Sequence, residues 1–289
     1  MQTRCHLSVL ALKLAEKYGD RAAFTYKDFG GTAWKQMSYN RFAQLVKQAS
    51  NALLNLGTKP QDAIGVFSQN TIQYLVTDFG AYGVRTISIP FYATASEQQI
   101  QYMINDAGIR FLFVGEQEQY DKAHRIFALC HTLERIIIFD RSVRISTHDP
   151  AALYFDDFLK LGEGLPRQSE VEQLYAQANN DDLCNILYTS GTTGDSKGVM
   201  LTYGQYEAAM KANDEVVPIS ADGRTSHSPK DATSSSIPIR TRFSSQCARR
   251  ILRVCRACPG SGRRFIRLSR TRLTVRVPYS SASSVTHLR

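Results

Sequence analysis

The chain has 289 residues, 43% hydrophobic and 21% charged, enough apolar material for one large or two modest globular domains with a buried core, and unlike a fibrous or collagen-like composition. Its formal charge of +9 is unevenly spread: residues 219–289 carry 14 Arg and one Lys against Asp222 and Asp231, a net of +13, whereas residues 1–218 carry 20 bases against 24 acids, a net of −4. The basic average therefore describes the last part of the chain and not its body.

Residues 7–18, LSVLALKLAEKY, are too interrupted by Lys13, Glu16 and Lys17 for a signal sequence and read as an amphipathic surface helix. No apolar run approaches the roughly 20 residues that span a bilayer. Phe42, Leu45, Val46, Ala49, Leu53 and Leu56 form one stripe of a second helix, with Ser38 as its cap and Gly57 as its stop. An alternation follows: strand 63–67, helix 71–83, strand 86–91, helix 97–107, strand 111–114, helix 117–131 and strand 135–139. Strands alternating with helices of this length predict βαβ crossovers, hence an α/β fold with a mostly parallel sheet and flanking helices. Ser96 and Gln99 form a capping box for the helix at 97–107, which Gly108 closes.

Residues 141–181 read as a looser stretch, broken by Pro150, Gly162, Gly164 and Pro166. Leu183 to Tyr188 is then a buried strand, Val199 to Leu201 a short apolar step, and Thr202 with Gln205 a capping box opening a helix to about Asn213. Six cysteines, Cys5, Cys130, Cys184, Cys247, Cys255 and Cys258, have no framework spacing, which suits a reducing, cytoplasmic setting. Cys255 and Cys258 lack a second ligand pair at zinc-site spacing, so no metal site is expected.

Between the strand and the apolar step lies YTSGTTGDSKG, residues 188–198. Backbone N–H groups, hydroxyls and one cation are what a loop needs to hold a polyphosphate. Gly191 and Gly194 permit a tight or left-handed backbone, Thr189, Ser190, Thr192 and Thr193 supply hydroxyls, and Lys197 supplies the charge. Counting on from Gly191, Ser196 stands where a Walker A loop has Gly, and Gly198 follows the lysine. On these residues alone, a polar turn between two elements is the competing reading.

The ordered string Y-T-S-G-T-T-G-x-x-K-G-V resembles the phosphate-binding signature of the adenylate-forming (AMP-binding) superfamily. Upstream, YGDRAAFTYKD (18–28), Trp34 with MSYNRFAQLVKQASNALLNLG, DAIGVFSQN (62–70) and ISIPFYATAS (87–96) look like the opening of long-chain fatty acid–CoA ligases in the same order. The resemblance covers about residues 7–218 and implies the N-terminal part of that enzyme's large domain. It also implies ATP, Mg2+ and coenzyme A as reaction partners of a fatty acid, with Thr189, Ser190, Gly191, Thr192, Thr193, Gly194 and Lys197 binding the ATP phosphates. The reaction it implies needs no enzyme nucleophile; catalysis rests on positioning and on neutralising charge as pyrophosphate leaves. Peripheral membrane contact is compatible with such a substrate.

Ser196 replaces the family's usual Pro, which loosens the loop, and Tyr203 stands where His is common. The family's later Y-G-x-T-E-like and Y-x-T-G-D-like segments, its hinge and its catalytic lysine are not found, so no catalytic set is complete and the chain is expected to be truncated and inactive alone. Residues 219–289 change abruptly to Arg and Ser, 14 of each. A disordered basic tail, a nucleic-acid arm and translation out of the original frame each account for this. The six codons of Arg and of Ser favour a shifted frame, and the absence of any nucleic-acid-binding motif counts against the arm.

Overall fold

The computed structural model describes residues 6–189 and 196–216. In chain order these form α1 (Leu7–Tyr18), β1 (Ala22–Tyr26), β2 (Lys35–Ser38), α2 (Tyr39–Asn55), β3 (Ala63–Phe67), α3 (Ile72–Gly83), β4 (Ile87–Phe91), α4 (Glu97–Ala107) and β5 (Ile109–Val114). There follow α5 (Gln117–Ile126), β6 (Arg135–Ile138), β7 (Ala152–Tyr154), α6 (Phe155–Leu161), α7 (Gln168–Gln177), β8 (Leu183–Thr189), β9 (Lys197–Thr202) and α8 (Tyr203–Val216). The Arg- and Ser-rich segment expected to be a disordered tail lies outside the described residues.

Seven strands form one sheet in the order β7-β6-β5-β3-β4-β8-β9. Every neighbouring pair is parallel except β8 with β9. The side-chain period of a strand divides the core into two layers. On β3, Ile64 and Val66 enter one cluster with α1, α2, α3, α6 and α7, while Ala63 and Phe67 enter the other with α4 and α5. Phe111 and Phe113 of β5 fall on the first side, Leu112 and Val114 on the second. Covering both faces explains why these strands read as continuous apolar runs, the expected mark of a parallel sheet in an α/β protein. The chain leaves β3 through α3 on one face toward β4 and leaves β5 through α5 on the other face toward β6, which puts the topological switch point between β3 and β5.

Local signals act as expected at the helix ends. Ser38 Oγ accepts from Arg41 N at 3.2 Å, both arms of the Ser96–Gln99 capping box are formed, and Gly108 takes a left-handed conformation with φ 66°.

The reading of 141–181 as loose is corrected, because β7, α6 and α7 lie there. Pro150, Gly162, Gly164 and Pro166 cut the stretch into pieces of three to ten residues, too short for a period to show. These elements owe their existence to packing: Phe155, Phe158, Val171 and Leu174 are buried against α2 and the sheet, and the side chains of Asn55 and Arg167 donate to the carbonyls of Leu161 and Leu54. The antiparallel pair β1–β2 carries no clear local signal, since its strands are short and mostly only half-buried.

Gly162 marks the closest approach of α6 to α2: a Cβ there would sit 1.9 Å from the carbonyl oxygen of Gln48 and 2.9 Å from Ala52 N. Backbone atoms cannot rotate away, so Gly162→Ala is expected to lower stability by about 3 kcal/mol, at the top of the usual overpacking range. Urea unfolding would read this as a lower midpoint with an unchanged slope.

Candidate phosphate-binding site

The loop is carried by a β-hairpin. Strand β8 pairs antiparallel with β9 from Leu183↔Thr202 to Thr189↔Lys197, with Leu187 opposite Val199 and Tyr188 opposite Gly198. Two of the predicted phosphate-binding residues, Thr189 and Lys197, thus face one another across the last pair of the ladder. Ser190, Gly191, Thr192, Thr193 and Gly194 lie outside the described residues. The sequence predicts a strand, a loop and a second apolar step, and the structure adds that the two flanking pieces are hydrogen-bonded partners.

Glycine at 198 is required by the strand pair. A Cβ at this position would lie 2.8 Å from Ile186 Cγ2 and about 3.5 Å from the Tyr188 ring, so only Gly lets β9 lie flat against the two large side chains of β8. Tyr188 in turn donates through Oη to Asp106 Oδ2 of α4 at 2.7 Å, and burial pushes its hydroxyl pKa up. The base of the loop is therefore tied to the helix on one face of the sheet.

On the other face the hairpin is held by side chains more than by backbone. Strands β4 and β8 share a single registered pair, Ser88 with Asn185. Asn185 Nδ2 donates to Ser88 O at 2.7 Å, Tyr82 Oη donates to Asn185 Oδ1 at 3.2 Å, and Ser88 Oγ donates to Asp78 Oδ1 at 2.6 Å. Gln61 adds a two-point clamp, accepting from Leu183 N at 2.9 Å and donating to Leu183 O at 3.3 Å. At the start of β8, Arg85 and Asp182 form a bidentate pair at 2.7 and 3.0 Å. All these groups are buried or nearly so, and buried polar groups persist only when partnered.

Burial dominates the electrostatics of this seam. It pushes the Asp78 carboxyl up to about 7, against the opposing effect of the Ser88 hydrogen bond, and raises the Cys184 thiol and the Tyr82 hydroxyl well above their usual values. The sequence alone does not single out these supporting residues. The available signal was a polar residue inside an apolar run: Asn185 within LCNILY, and Asp78 within the nearly uniform apolar helix IQYLVTDFGAYG.

Tyr203, where the resembled family commonly has His, is a core residue here. It is 2% exposed, packs its ring 4.4 Å from that of His6 and 5.9 Å from that of Tyr82, and has no hydrogen-bond partner for its hydroxyl among the described residues.

Because β8 runs parallel to β4, the loop emerges at the carboxyl ends of the parallel strands, the edge at which open α/β sheets receive ligands. Among the described residues no group of three or more His, Cys, Asp or Glu converges as a metal site. Nor is any helix among them long and apolar enough to cross a membrane.

The family model of AMP-binding enzymes matches residues 13–240. The chain belongs to this family. Its AMP-binding region covers the whole described sheet and reaches into the Arg- and Ser-rich segment. Curated relatives include the long-chain-fatty-acid–CoA ligase ACSBG2 of Xenopus laevis, 27% identical over 187 residues and matched over 65% of this chain and 25% of its own length. Fatty acyl-CoA synthetase A of Dictyostelium discoideum is 32% identical over 176 residues, 59% of this chain and 25% of the relative. The chain thus spans about a quarter of the length of these curated relatives. Among solved structures, the anthranilate CoA ligase AuaEII in complex with anthranoyl-AMP superposes with a TM-score of 0.61 at 18% identity, covering 75% of this chain and 38% of that one. That likeness concerns the fold.

Proposed function

We propose that residues 189–197 grip the phosphates of ATP as part of a long-chain fatty acid–CoA ligase. In that reaction a fatty acid carboxylate attacks the α-phosphorus of ATP and pyrophosphate leaves. The thiol of coenzyme A then takes the acyl group from the acyl-adenylate, and AMP leaves. The observation that carries the reading is the position of TSGTTGDSK at the carboxyl end of β8, on a hairpin whose last pair is Thr189↔Lys197, in a chain of the AMP-binding family. In this reading the hydroxyls and backbone N–H groups that the loop sequence supplies serve as donors to the phosphates, and the Lys197 ammonium offsets part of the charge released with pyrophosphate. Mg2+, the family's usual companion of ATP, would enter with the nucleotide and neutralise part of its phosphate charge. Free, buried thiols at Cys130 and Cys184 suit a reducing, cytoplasmic setting.

These 289 residues alone are expected to bind nucleotide without completing the reaction, because the later segments that the family uses for adenine, ribose and the acyl chain are not found in the sequence. Calorimetric titration tests the grip. ATP should bind more tightly than AMP, adenosine should bind least, and Lys197→Ala should weaken ATP by about ten- to a hundredfold, the range for losing one charge-assisted hydrogen bond. Adenosine binding as tightly as ATP, or a Lys197→Ala variant indistinguishable from the parent, would overturn the reading. Fatty-acid-dependent exchange of pyrophosphate into ATP at a rate normal for such ligases would overturn the expected inactivity.

A further inference from the structure

The strands β1 and β2 form a two-stranded sheet of their own, outside the main sheet. Their ladder ends at Tyr26↔Lys35, so residues 27–34, KDFGGTAW, make the tip. Phe24, Tyr26 and Phe29 turn inward and pack on the core. Trp34, the chain's single tryptophan, points the other way and is 60% exposed. Lys27 Nζ lies 5.0 Å from the centre of the Trp34 ring, and Lys35 pairs with Asp28. At the opposite end of the ladder, away from the tip, Lys17 and Arg21 lie 5.1 and 5.4 Å from the Tyr18 ring.

From this arrangement we infer that the β1–β2 tip is a contact site for an anionic lipid surface, with Trp34 entering the interfacial zone and Lys27 and Lys35 meeting the headgroups. Three features carry the inference. An indole with its ring exposed and a lysine stacked on it is the amphipathic pairing that settles at the boundary of headgroups and acyl chains. The charge at the tip is locally basic, with Lys27 and Lys35 against Asp28 in residues 27–35, within a body of net −4. The tip is also small, with one large exposed apolar side chain, which suits shallow insertion and falls far short of the roughly 800 Å² per partner that a stable protein interface buries. The surface does not depend on the proposed ligase reading, although a fatty acid substrate would give it a use.

The single tryptophan allows a direct test on the full chain. Vesicles of phosphatidylcholine with phosphatidylserine should shift Trp34 emission to the blue, and lipids brominated on the acyl chain should quench it; phosphatidylcholine alone should do neither. Lys27→Gln and Lys35→Gln, both exposed substitutions, should each weaken the vesicle-induced shift by about fivefold in apparent affinity, with unchanged circular dichroism. Sedimentation with anionic vesicles without any change in Trp34 emission would assign the binding to the basic residues of 219–289 and overturn the proposal. A blue shift that grows with protein concentration in the absence of lipid would make a second copy the occupant and would equally overturn it.

Discussion

Asp182→Ala is expected to lower stability by about 3 kcal/mol, the low end of the range for breaking a buried ion pair by removing one partner. Asp182 and Arg85 are 9% and 15% exposed at their side chains, and the two bonds between them join the turn after α3 to the start of β8. Removing the carboxylate leaves a guanidinium nearly out of water with no anion to meet it. Some contact with solvent remains, which places the effect at the low end. Asp182 also accepts from Asn179 N at 3.3 Å and, through its carbonyl, from Tyr203 N at 3.1 Å. The side-chain bond to Asn179 disappears in the variant while the main-chain bond survives. Arg85 itself holds a left-handed backbone with φ 58°, so its own replacement by Ala adds strain only at a position already strained. The double variant Arg85→Ala, Asp182→Ala should cost less than the sum of the single changes, since neither charge is then left alone. Urea unfolding of the four proteins at pH 7 reads the coupling, and additive losses would show that the pair is not the source of the effect.

Asp78→Asn is expected to remove a fall in stability that the parent shows between about pH 4 and pH 7. The Asp78 carboxyl is held up to about 7, chiefly by burial, against 3.8 for the ordinary group. Between these values the folded chain keeps a proton that the unfolded chain has released, so unfolding is favoured as pH rises and the loss levels off above about 7. A shift of about three units corresponds to at most about 4 kcal/mol. The groups around the carboxyl are Ser88 from β4, Tyr82 from its own helix and Cys184 from β8, none of them a cation that could hold the ionised form. An amide keeps the acceptor for Ser88 Oγ without the ionisation, so the variant should be equally stable at pH 5 and pH 8 and more stable than the parent at pH 8. A parent without this slope, or a variant retaining it, would locate the pH dependence elsewhere. Because Asp78, Ser88 and Asn185 supplement the single registered pair of β4 with β8, the same ionisation is expected to loosen the strand that carries the loop.

The elements legible in the sequence are those whose signal is local. Strand 63–67 and helix 97–107 are observed with the predicted bounds, the first because a strand buried on both faces is apolar throughout, the second because Ser96, Gln99 and Gly108 mark its ends with their own hydrogen bonds and backbone preference. The run after Tyr188 stands out as a candidate phosphate loop because its chemistry is contiguous: glycines, hydroxyls and a lysine within ten residues. Elements 152–177 were not legible, since α6 has seven residues and its helical form depends on α2 lying against Gly162 and on Phe158 reaching the core beside Phe113.

The supports of the candidate site divide along the same line. By itself the sequence determines the alternation of strands and helices, the parallel sheet, and the order of residues that names the AMP-binding family, because each is written in neighbouring positions. Only the tertiary structure decides that Thr189 and Lys197 are paired across a hairpin, and that Asp78, Ser88 and Asn185, from three separate elements, meet under β8. It likewise decides that Arg85 closes on Asp182, 97 residues away. Contacts at such separations follow from how buried surfaces and partnered polar groups are satisfied together in one fold, and no local pattern of residues carries that information.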